Sequence, residues 1–257
     1  MPSARCILNV FYDPAPSTRR LVADNRGWFI PVHGGSESPV HDNDWMRTNL
    51  VPDNIGANIS SLNPRLNENT SIYWVWKHYA DGAVGNPDWI GFNHYRRYFP
   101  PEKIRSLISS GKVDFVVPHS YRCAVSLVQQ YATFHVVEDL YTLYSVMPKS
   151  DVASFKCYME HNVMYAPAYL FFMRREDFFA WCEYAFPIML ELNELIDTTG
   201  RTLYNQRAIC FLVERLFGFW LAMRIERDRK TAIATSAVFD KTAKSEAIQM
   251  HELVDKE

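Results

Sequence analysis

Two adjacent arginines close to a histidine are the first candidates for chemistry in this sequence. His94, Arg96 and Arg97 occur in the run GFNHYRRYF, where a predicted strand over Trp89–His94 ends. Ligands of open α/β sheets gather at the carboxyl ends of strands, and guanidinium groups match phosphate oxygens with two parallel hydrogen bonds. The run therefore predicts a diphosphate site. Because neighbouring strand residues face opposite ways, one arginine can serve that site while the other is a solvated surface charge.

The run DNIGANIS, residues 53–60, is the second candidate. It contains Asp53, Asn54, Gly56 and Asn58, which tolerate unusual backbone angles. Their carboxylate and amide groups can hydrogen-bond a base or a ribose. The same residue types also form ordinary turns before helices, and the residues alone leave both interpretations open.

The run HVVEDL is the third candidate and contains His135, Glu138 and Asp139. A carboxylate close to an imidazole is what general-base catalysis on a hydroxyl requires. Acidic residues in the first turn of a helix also complement the helix dipole, and on the residues alone this helix-start interpretation is favoured. If the whole run begins a helix, His135 and Glu138 share a face and Asp139 lies close to it.

The sequence offers little to hold a metal ion. It has no dinucleotide or P-loop fingerprint and no zinc-protease or serine-hydrolase motif. Its D-x-D pair, Asp42 and Asp44, lies in a polar stretch rather than at a strand end, so it is a weak metal–diphosphate motif. The cofactor stays open: a divalent cation such as Mn²⁺ or Mg²⁺ suits the chemistry, but no ligands are assigned. The eight histidines lack metal-ligand spacing, which disfavours a metal-dependent hydrolase.

The elements that must position these runs are those of an α/β fold, with a mainly parallel sheet and a helical C-terminal half. The predicted strands cover residues 6–12, 29–33, 89–94, 113–118, 168–173 and 232–239. The predicted helices cover residues 101–110, 177–196 and 206–223, and another continues from an N-cap at Asn63 to His78. Residues 34–60 show almost no periodicity and predict a long loop. We expect one domain over residues 1–240 and a polar tail over 241–257.

Composition narrows the partners and the compartment. A formal net charge of -2 provides no field that would attract a nucleic acid. The five cysteines are scattered and form no C-x-x-C pair, which is typical of a reducing cytoplasm. The first apolar run is too short for a signal peptide, and no stretch approaches the roughly 20 apolar residues of a membrane span. We expect a cytoplasmic location, which includes peripheral association with the inner face of a membrane.

Six runs, in their order, resemble the DUF4422 family: DNIGANISSLNP, YWVWKH, WIGFNHYRRYF, HVVEDL, FPIMLELNELID and QRAICFLVERLFGFWL. These are bacterial proteins of capsule and exopolysaccharide biosynthesis, similar to glycosyltransferases. The resemblance covers most of the chain, and HYRRYF and ERLFGFWL are its most specific parts. The family pattern is nearer to DNTGDNIS and GLCHYRRYF. Ala57 therefore leaves no carboxylate where the family has an acidic residue, and Asn93 replaces a cysteine.

The resemblance implies a glycosyltransferase of the GT-A type with a single Rossmann-like domain. It would move a hexose, galactose or galactofuranose among the options, from a nucleoside-diphosphate donor to a glycan or lipid-linked glycan in surface polysaccharide synthesis. The run DNIGANIS and the strand-end position of HYRRYF favour a UDP-linked donor. The implied donor contacts are Asp53, Asn54, Gly56, Asn58, His94, Arg96 and Arg97. His135, Glu138 and Asp139 become candidate catalytic residues, with one carboxylate as the base of an inverting displacement. Without a well-placed D-x-D, arginines, alone or together with a divalent ion, are expected to stabilise the leaving diphosphate. The alternative is a non-catalytic nucleotide- or glycan-binding module of the same fold.

Overall fold

The computed structural model describes residues 3–12, 14–39, 41–79, 82, 84–165 and 169–240, and a mixed sheet lies at its centre. The strands are β1 (Ala4–Val10), β2 (Phe29–His33), β3 (Val51–Pro52), β4 (Trp89–His94), β5 (Arg97–Tyr98), β6 (Phe115–Pro118), β7 (Tyr121–Arg122), β8 (Met164–Tyr165), β9 (Phe171–Arg174), β10 (Ala232–Thr235) and β11 (Val238–Phe239). The central order is β10-β6-β9-β4-β1-β2-β3, while β5 joins β4 to β11, and β7 and β8 form a separate pair.

Most strand pairs in the central order are parallel. β1 is parallel to β2 and β4, β2 is parallel to β3, and β6 is parallel to β10. β9 is antiparallel to both of its neighbours, β4 and β6. The predicted mainly parallel sheet of an α/β fold is confirmed.

The helices flank this sheet and dominate the second half of the described chain. They are α1 (Pro16–Asp24), α2 (Asp44–Asn49), α3 (Asn63–Leu66), α4 (Asn69–Lys77), α5 (Pro101–Ser109), α6 (Leu127–Phe134), α7 (Glu138–Val146), α8 (Lys149–His161), α9 (Arg175–Leu195) and α10 (Ala208–Arg227). Two short 3₁₀ turns, Ser60–Leu62 and Asn205–Arg207, precede α3 and α10. The predicted helical C-terminal half is confirmed.

The sheet separates two hydrophobic cores, and β1 contributes to both. Cys6, Leu8 and Val10 lie in one core, and Ile7 lies in the other. Side chains alternate across a strand, so a strand covered on both faces needs apolar residues at successive positions. The continuous apolar run of β1 is therefore a direct consequence of its central position.

The continuous helix predicted from Asn63 is wrong. α3 ends at Leu66 and α4 begins at Asn69, because Asn67 has a φ of 43° and interrupts the helical backbone. Asn63 is the first residue of α3 rather than its cap. Its side-chain amide donates instead to the Asn67 carbonyl (2.8 Å) and to the Thr70 hydroxyl (3.0 Å), which holds the interruption in place.

The long loop predicted over residues 34–60 is also wrong in part, since it contains α2 and β3. The side chain of Asn43 caps α2 by accepting the Met46 N–H at 3.0 Å, and such local capping carries no hydrophobic periodicity. Arg47 of α2 pairs with both carboxylates of the D-x-D pair, Asp42 and Asp44, at 2.5 Å each. That pair is therefore engaged by a neighbouring cation.

Other boundaries differ by a few residues, and the last predicted strand is two short strands, β10 and β11. The predicted tail over residues 241–257 lies outside the described residues, so the domain limits stay a prediction. Within the described ranges, every helix is too short or too polar to cross a bilayer.

A substitution of Asp177, at the start of α9, can test how strongly α9, α10 and β10 are held together. Its fully buried carboxylate accepts from Arg224 at 2.6 Å and from Lys230 at 3.3 Å. We expect Asp177→Asn to lower the free energy of unfolding by about 3 kcal/mol, because it leaves two partly buried cations without their fully buried counter-charge. Asp228 pairs with the same arginine at 2.6 Å but is 40% exposed, so Asp228→Asn should cost less than about 1 kcal/mol. Urea unfolding measures both, and equal losses would contradict this assignment.

Candidate functional site

The HYRRYF run forms a tight hairpin at the carboxyl edge of the sheet. β4 ends at His94, β5 begins at Arg97, and these two residues pair across the hairpin. The buried Tyr95 anchors it, since its N–H donates to the Asn9 carbonyl of β1 at 3.1 Å. Arg96 follows at the turn, beyond the ends of the parallel strands. This is the position at which open α/β sheets bind ligands.

Arg96 belongs to a group of charges from three separate segments. Burial lowers the pKa of its guanidinium, and the positive charges of Arg97 and Arg207 lower it further, while the carboxylate of Glu68 acts in the opposite direction. Arg207 comes from the 3₁₀ turn before α10, and Glu68 directly precedes α4. We call Arg96, Arg97, Arg207 and Glu68 the arginine cluster.

Glu68 is the buried carboxylate of the arginine cluster, with 5% of its surface exposed. Burial raises the pKa of its carboxyl group, and the charges of Arg207, Arg96 and Arg97 act against that rise. Sequence reasoning missed both Glu68 and Arg207, because each fell within a predicted helix and neither lies near HYRRYF in sequence. A buried titratable group among opposite charges is a common property of functional sites.

Arg97 also lines a cavity of about 480 Å³. Its guanidinium lies 5.2 Å from the centre of the Phe239 ring, and His119 and Tyr121 contribute to the other walls. Tyr121 is 66% exposed and Phe239 is 41% exposed, so both rings are accessible to a ligand. The volume falls in the range of small-molecule sites, and exposed aromatic faces can pack against a sugar ring.

Two buried asparagines stand near the carboxyl ends of neighbouring strands. Asn9 of β1 accepts from the Ser71 hydroxyl at 2.7 Å, and Asn93 of β4 accepts from the Phe99 N–H at 3.3 Å. Both are fully buried, and their side-chain Nδ2 atoms have no hydrogen-bond partner in the described part of the chain. Buried donors are normally satisfied, so these two donors are exceptions near the carboxyl edge of the sheet.

Asp53 ties together the loops that follow β2 and β3. Its fully buried carboxylate accepts from the N–H groups of Gly35 (2.9 Å) and Ser36 (3.0 Å) and from the hydroxyls of Ser36 and Ser60. These protein donors occupy the carboxylate in this structure. A donor contact by Asp53 stays a prediction, and the geometry gives the residue a structural role as well.

The other polar residues of DNIGANIS bond to backbone carbonyls of this segment or of the loop that contains Ser36. The Asn58 amide donates to the carbonyls of Gly56 (2.8 Å) and Asn54 (3.1 Å), and the Asn54 amide donates to Ser36 at 3.4 Å. Gly56 has a φ of 64°, and a Cβ there would lie 2.4 Å from the His78 ring. The formation of a turn therefore explains in part why these residue types occur here. Their contact with the nucleotide-sugar donor stays a prediction.

His135 and Glu138 do not share a helical face, so that expectation is wrong. His135 caps the end of α6 in an extended conformation, and α7 begins only at Glu138. The His135 ring stacks 4.1 Å from the Phe211 ring and 5.6 Å from the Tyr204 ring. Burial, followed by the charge of Arg215, lowers the pKa of His135 to about 3. The imidazole is therefore neutral at physiological pH.

Asp139 is buried at the start of α7 and forms an ion pair with Arg201. Its two carboxylate oxygens accept from the guanidinium at 2.6 and 2.9 Å. Bidentate pairs of this kind hold segments in a defined orientation, and here the pair joins α7 to the loop before α10. Its catalytic role, like that of Glu138, stays a prediction.

One chain of contacts joins this region to the arginine cluster. The guanidinium of Arg207 lies 5.9 Å from the centre of the Phe211 ring, and that ring stacks on His135. Among the described residues, no group of three or more His, Cys, Asp and Glu side chains could hold a metal ion.

Comparison with solved structures identifies a protein that shares this fold. The structure is similar to that of the WbbM bifunctional glycosyltransferase in its apo form, with a TM-score of 0.75 and 20% sequence identity. The match covers 93% of this chain but 45% of the other, so this chain spans less than half of that protein's length. The likeness shows that the chain has a glycosyltransferase fold.

The family follows from the sequence. Residues 19–225 match the profile of DUF4422, described as a domain of unknown function, and the chain belongs to this family. A search of curated proteins found no match.

An experiment can distinguish the roles of the two candidate carboxylates of HVVEDL, Glu138 and Asp139. We expect Asp139→Asn to lower the free energy of unfolding by about 3–5 kcal/mol, because Arg201 loses its buried partner. Glu138→Gln should cost only about 0.3–1 kcal/mol, the value of a carboxylate at a helix start. If Glu138 is the base, Glu138→Gln should still bind nucleotide yet transfer sugar about 10²–10⁴-fold more slowly. Urea unfolding and single-turnover transfer give the two readouts, and a parental transfer rate for Glu138→Gln would exclude it as the base.

Proposed function

We propose that this protein transfers a sugar from a nucleoside-diphosphate donor to a hydroxyl of a glycan acceptor. The observation that carries the proposal is Arg96 with Arg97 at the carboxyl edge of the sheet, where the charge of Arg207 also acts on Arg96. The glycosyltransferase fold and the membership of DUF4422 support it. A site with this much positive charge at a strand end suits a diphosphate.

Cleavage of the bond between the anomeric carbon and phosphate leaves a nucleoside diphosphate, on which negative charge develops. Preorganised cations near the leaving oxygen stabilise that charge without reorganisation of solvent. Arg96, Arg97 and Arg207 would hold the diphosphate, and the site leaves room for a divalent ion as a further cofactor. His94 and the DNIGANIS residues Asp53, Asn54, Gly56 and Asn58 complete the proposed donor side.

The acceptor would occupy the cavity beside Arg97, where Tyr121 and Phe239 expose their rings. In an inverting displacement the acceptor hydroxyl attacks the anomeric carbon, the phosphate oxygen leaves with the bonding electrons, and a carboxylate takes the hydroxyl proton. Glu138 is our proposed base, with Asp139 as the alternative carboxylate. We propose that the donor is a UDP-linked hexose such as UDP-galactose or UDP-galactofuranose. The product would be a surface polysaccharide or its lipid-linked precursor, made in the cytoplasm at the inner face of the membrane.

A non-catalytic binding module of the same fold is the second candidate. Ala57 in place of an acidic residue and the internally bonded carboxylate of Asp53 favour it. Release of free nucleoside diphosphate at a catalytic rate from UDP-galactose, or from another sugar in a panel of UDP, GDP and dTDP donors, would exclude this candidate.

The arginines provide a direct test of the diphosphate site. We expect Arg96→Ala or Arg97→Ala to reduce turnover about 10²–10³-fold, the usual cost of removing one donor to a developing negative charge. Lys at the same position should restore activity only partly, because an ammonium lacks the planar fork of guanidinium. Arg105→Ala is the matched control, since that arginine lies on α5 with 48% of its side chain exposed. Near-parental turnover of both alanine variants would overturn the leaving-group assignment.

The nucleotide part of the donor can be identified from its effect on the thermal stability of the protein. A ligand that binds only the folded state stabilises it by mass action, by about 2.7 kcal/mol at a hundredfold excess over its Kd. We expect UDP and UDP-hexoses to raise the melting temperature more than GDP, dTDP or CMP and their sugars. A shift with another nucleotide and none with UDP would contradict the uridine assignment.

A further inference from the structure

The segment that follows β10 crosses the carboxyl edge of the sheet and joins the HYRRYF hairpin. β10 is parallel to β6 in the central order, whereas β11 is antiparallel to β5 and places Phe239 opposite Arg97. Ser236 and Ala237, which lie between the two strands, line the same cavity of about 480 Å³ as Arg97. The segment therefore forms one wall of that cavity and reaches the hairpin from the β10 end of the sheet.

β11 supplies a second partner for β5, which is two residues long. On its other side, β5 pairs with β4 through Arg97 and His94. The N–H of Asp240 also donates to the carbonyl of Arg96 at 2.8 Å, and the carboxylate of Asp240 accepts from the hydroxyl of Ser17 in α1. A short two-stranded hairpin is marginally stable by itself, so these contacts help to hold the backbone of both arginines.

The side chain of Arg97 is restrained by the ring opposite it. The central carbon of its guanidinium lies 5.2 Å from the centroid of the Phe239 ring. A guanidinium can stack on an aromatic face while the N–H groups in its plane stay available to a phosphate. An unrestrained arginine loses rotamer freedom when it binds a ligand, and that loss lowers the affinity. Contact with the ring reduces this loss, because it limits the rotamers of Arg97 beforehand.

We propose that β11 positions the donor side of the site: Phe239 orients the Arg97 guanidinium, and the Asp240 N–H fixes the Arg96 carbonyl. The inference rests on the proposed function, because that function assigns both arginines to the donor diphosphate. Phe239 and Asp240 act through the arginines, so they are positioning residues rather than catalytic ones. Their effect is to order the arginines before the diphosphate binds.

The test measures binding of inorganic pyrophosphate to the whole chain by calorimetric titration at low salt. Phe239→Leu keeps an apolar side chain but removes the ring, and it should weaken pyrophosphate binding roughly 2-fold to 10-fold, the value of ordering one long side chain in advance. Phe239→Tyr keeps the ring and should retain the parental affinity. In an Arg97→Gln background, Phe239→Leu should cause no further loss, since the ring acts through that guanidinium.

The matched control is Val238→Ala, on the same strand. Val238 is 39% exposed, close to the 41% of Phe239, but it has no ring to offer a guanidinium. We expect this variant to bind pyrophosphate as the parent does. Pyrophosphate contains no sugar, so any stacking of an acceptor on Phe239 does not enter the measurement.

The backbone contact is tested by two substitutions at one position. Asp240→Pro and Asp240→Ala both remove the carboxylate, but only proline also removes the N–H that donates to Arg96. Proline favours extended backbone at the preceding residue, which is the conformation of β11 at Phe239. We expect Asp240→Pro to bind pyrophosphate roughly 2-fold to 10-fold more weakly than Asp240→Ala, the value of one hydrogen bond.

Several outcomes would overturn the proposal: equal or tighter binding by Phe239→Leu, a similar loss in the Arg97→Gln background, or a parent that binds no pyrophosphate. A Phe239→Leu variant that fails to fold would show a structural role for the ring and would also overturn it. Equal affinities of the two Asp240 variants would overturn its backbone part. Sugar transfer by the parent without an affinity loss in Phe239→Leu would exclude the positioning role alone. The expected loss without any sugar transfer would exclude the proposed transferase alone.

Discussion

The parallel pairing of β1 with β2 and β4 determines where the polar groups of the candidate site lie. Parallel strands finish at the same edge of a sheet, so Asn9 of β1 lies opposite His94 of β4 and both lead into loops. The residues of β1 fill cores on both faces, and a one-residue slip would exchange the two sets of side chains. The edge that carries the candidate chemistry is thus defined by apolar packing.

At this edge, positive charge is concentrated at the expense of local stability. The positive charges of Arg97 and Arg207 each act unfavourably on Arg96, which is partly removed from water. Buried charges are tolerated only when they are paired or solvated. The charge of Glu68 acts on Arg96 in the opposite direction, and Asn67, the residue before Glu68, has a φ of 43°. A site organised in this way is prepared for a ligand of opposite charge.

The candidate site divides into residues that face a ligand-sized space and residues that build its walls. Arg97 lines a cavity with two accessible aromatic rings. The carboxylates of Asp53 and Asp139 instead accept hydrogen bonds from neighbouring protein donors. Buried carboxylates with full sets of partners orient loops and helices, and in this way they serve function indirectly. Sequence reasoning assigned all three residues to the site, because the sequence does not show whether a carboxylate faces a ligand or a neighbouring protein donor.

The sequence by itself determined the strands Phe29–His33 and Trp89–His94 and the arginines that follow the second of them. Local signals suffice there, because an apolar run and the polar residues that end it are contiguous in the chain. Only the tertiary structure decided that α3 and α4 are separate, that Asp139 pairs with Arg201, and that Glu68 and Arg207 join Arg96. These contacts join residues far apart in sequence, where no periodicity records which side chains will meet. They depend instead on how the helices pack over the sheet.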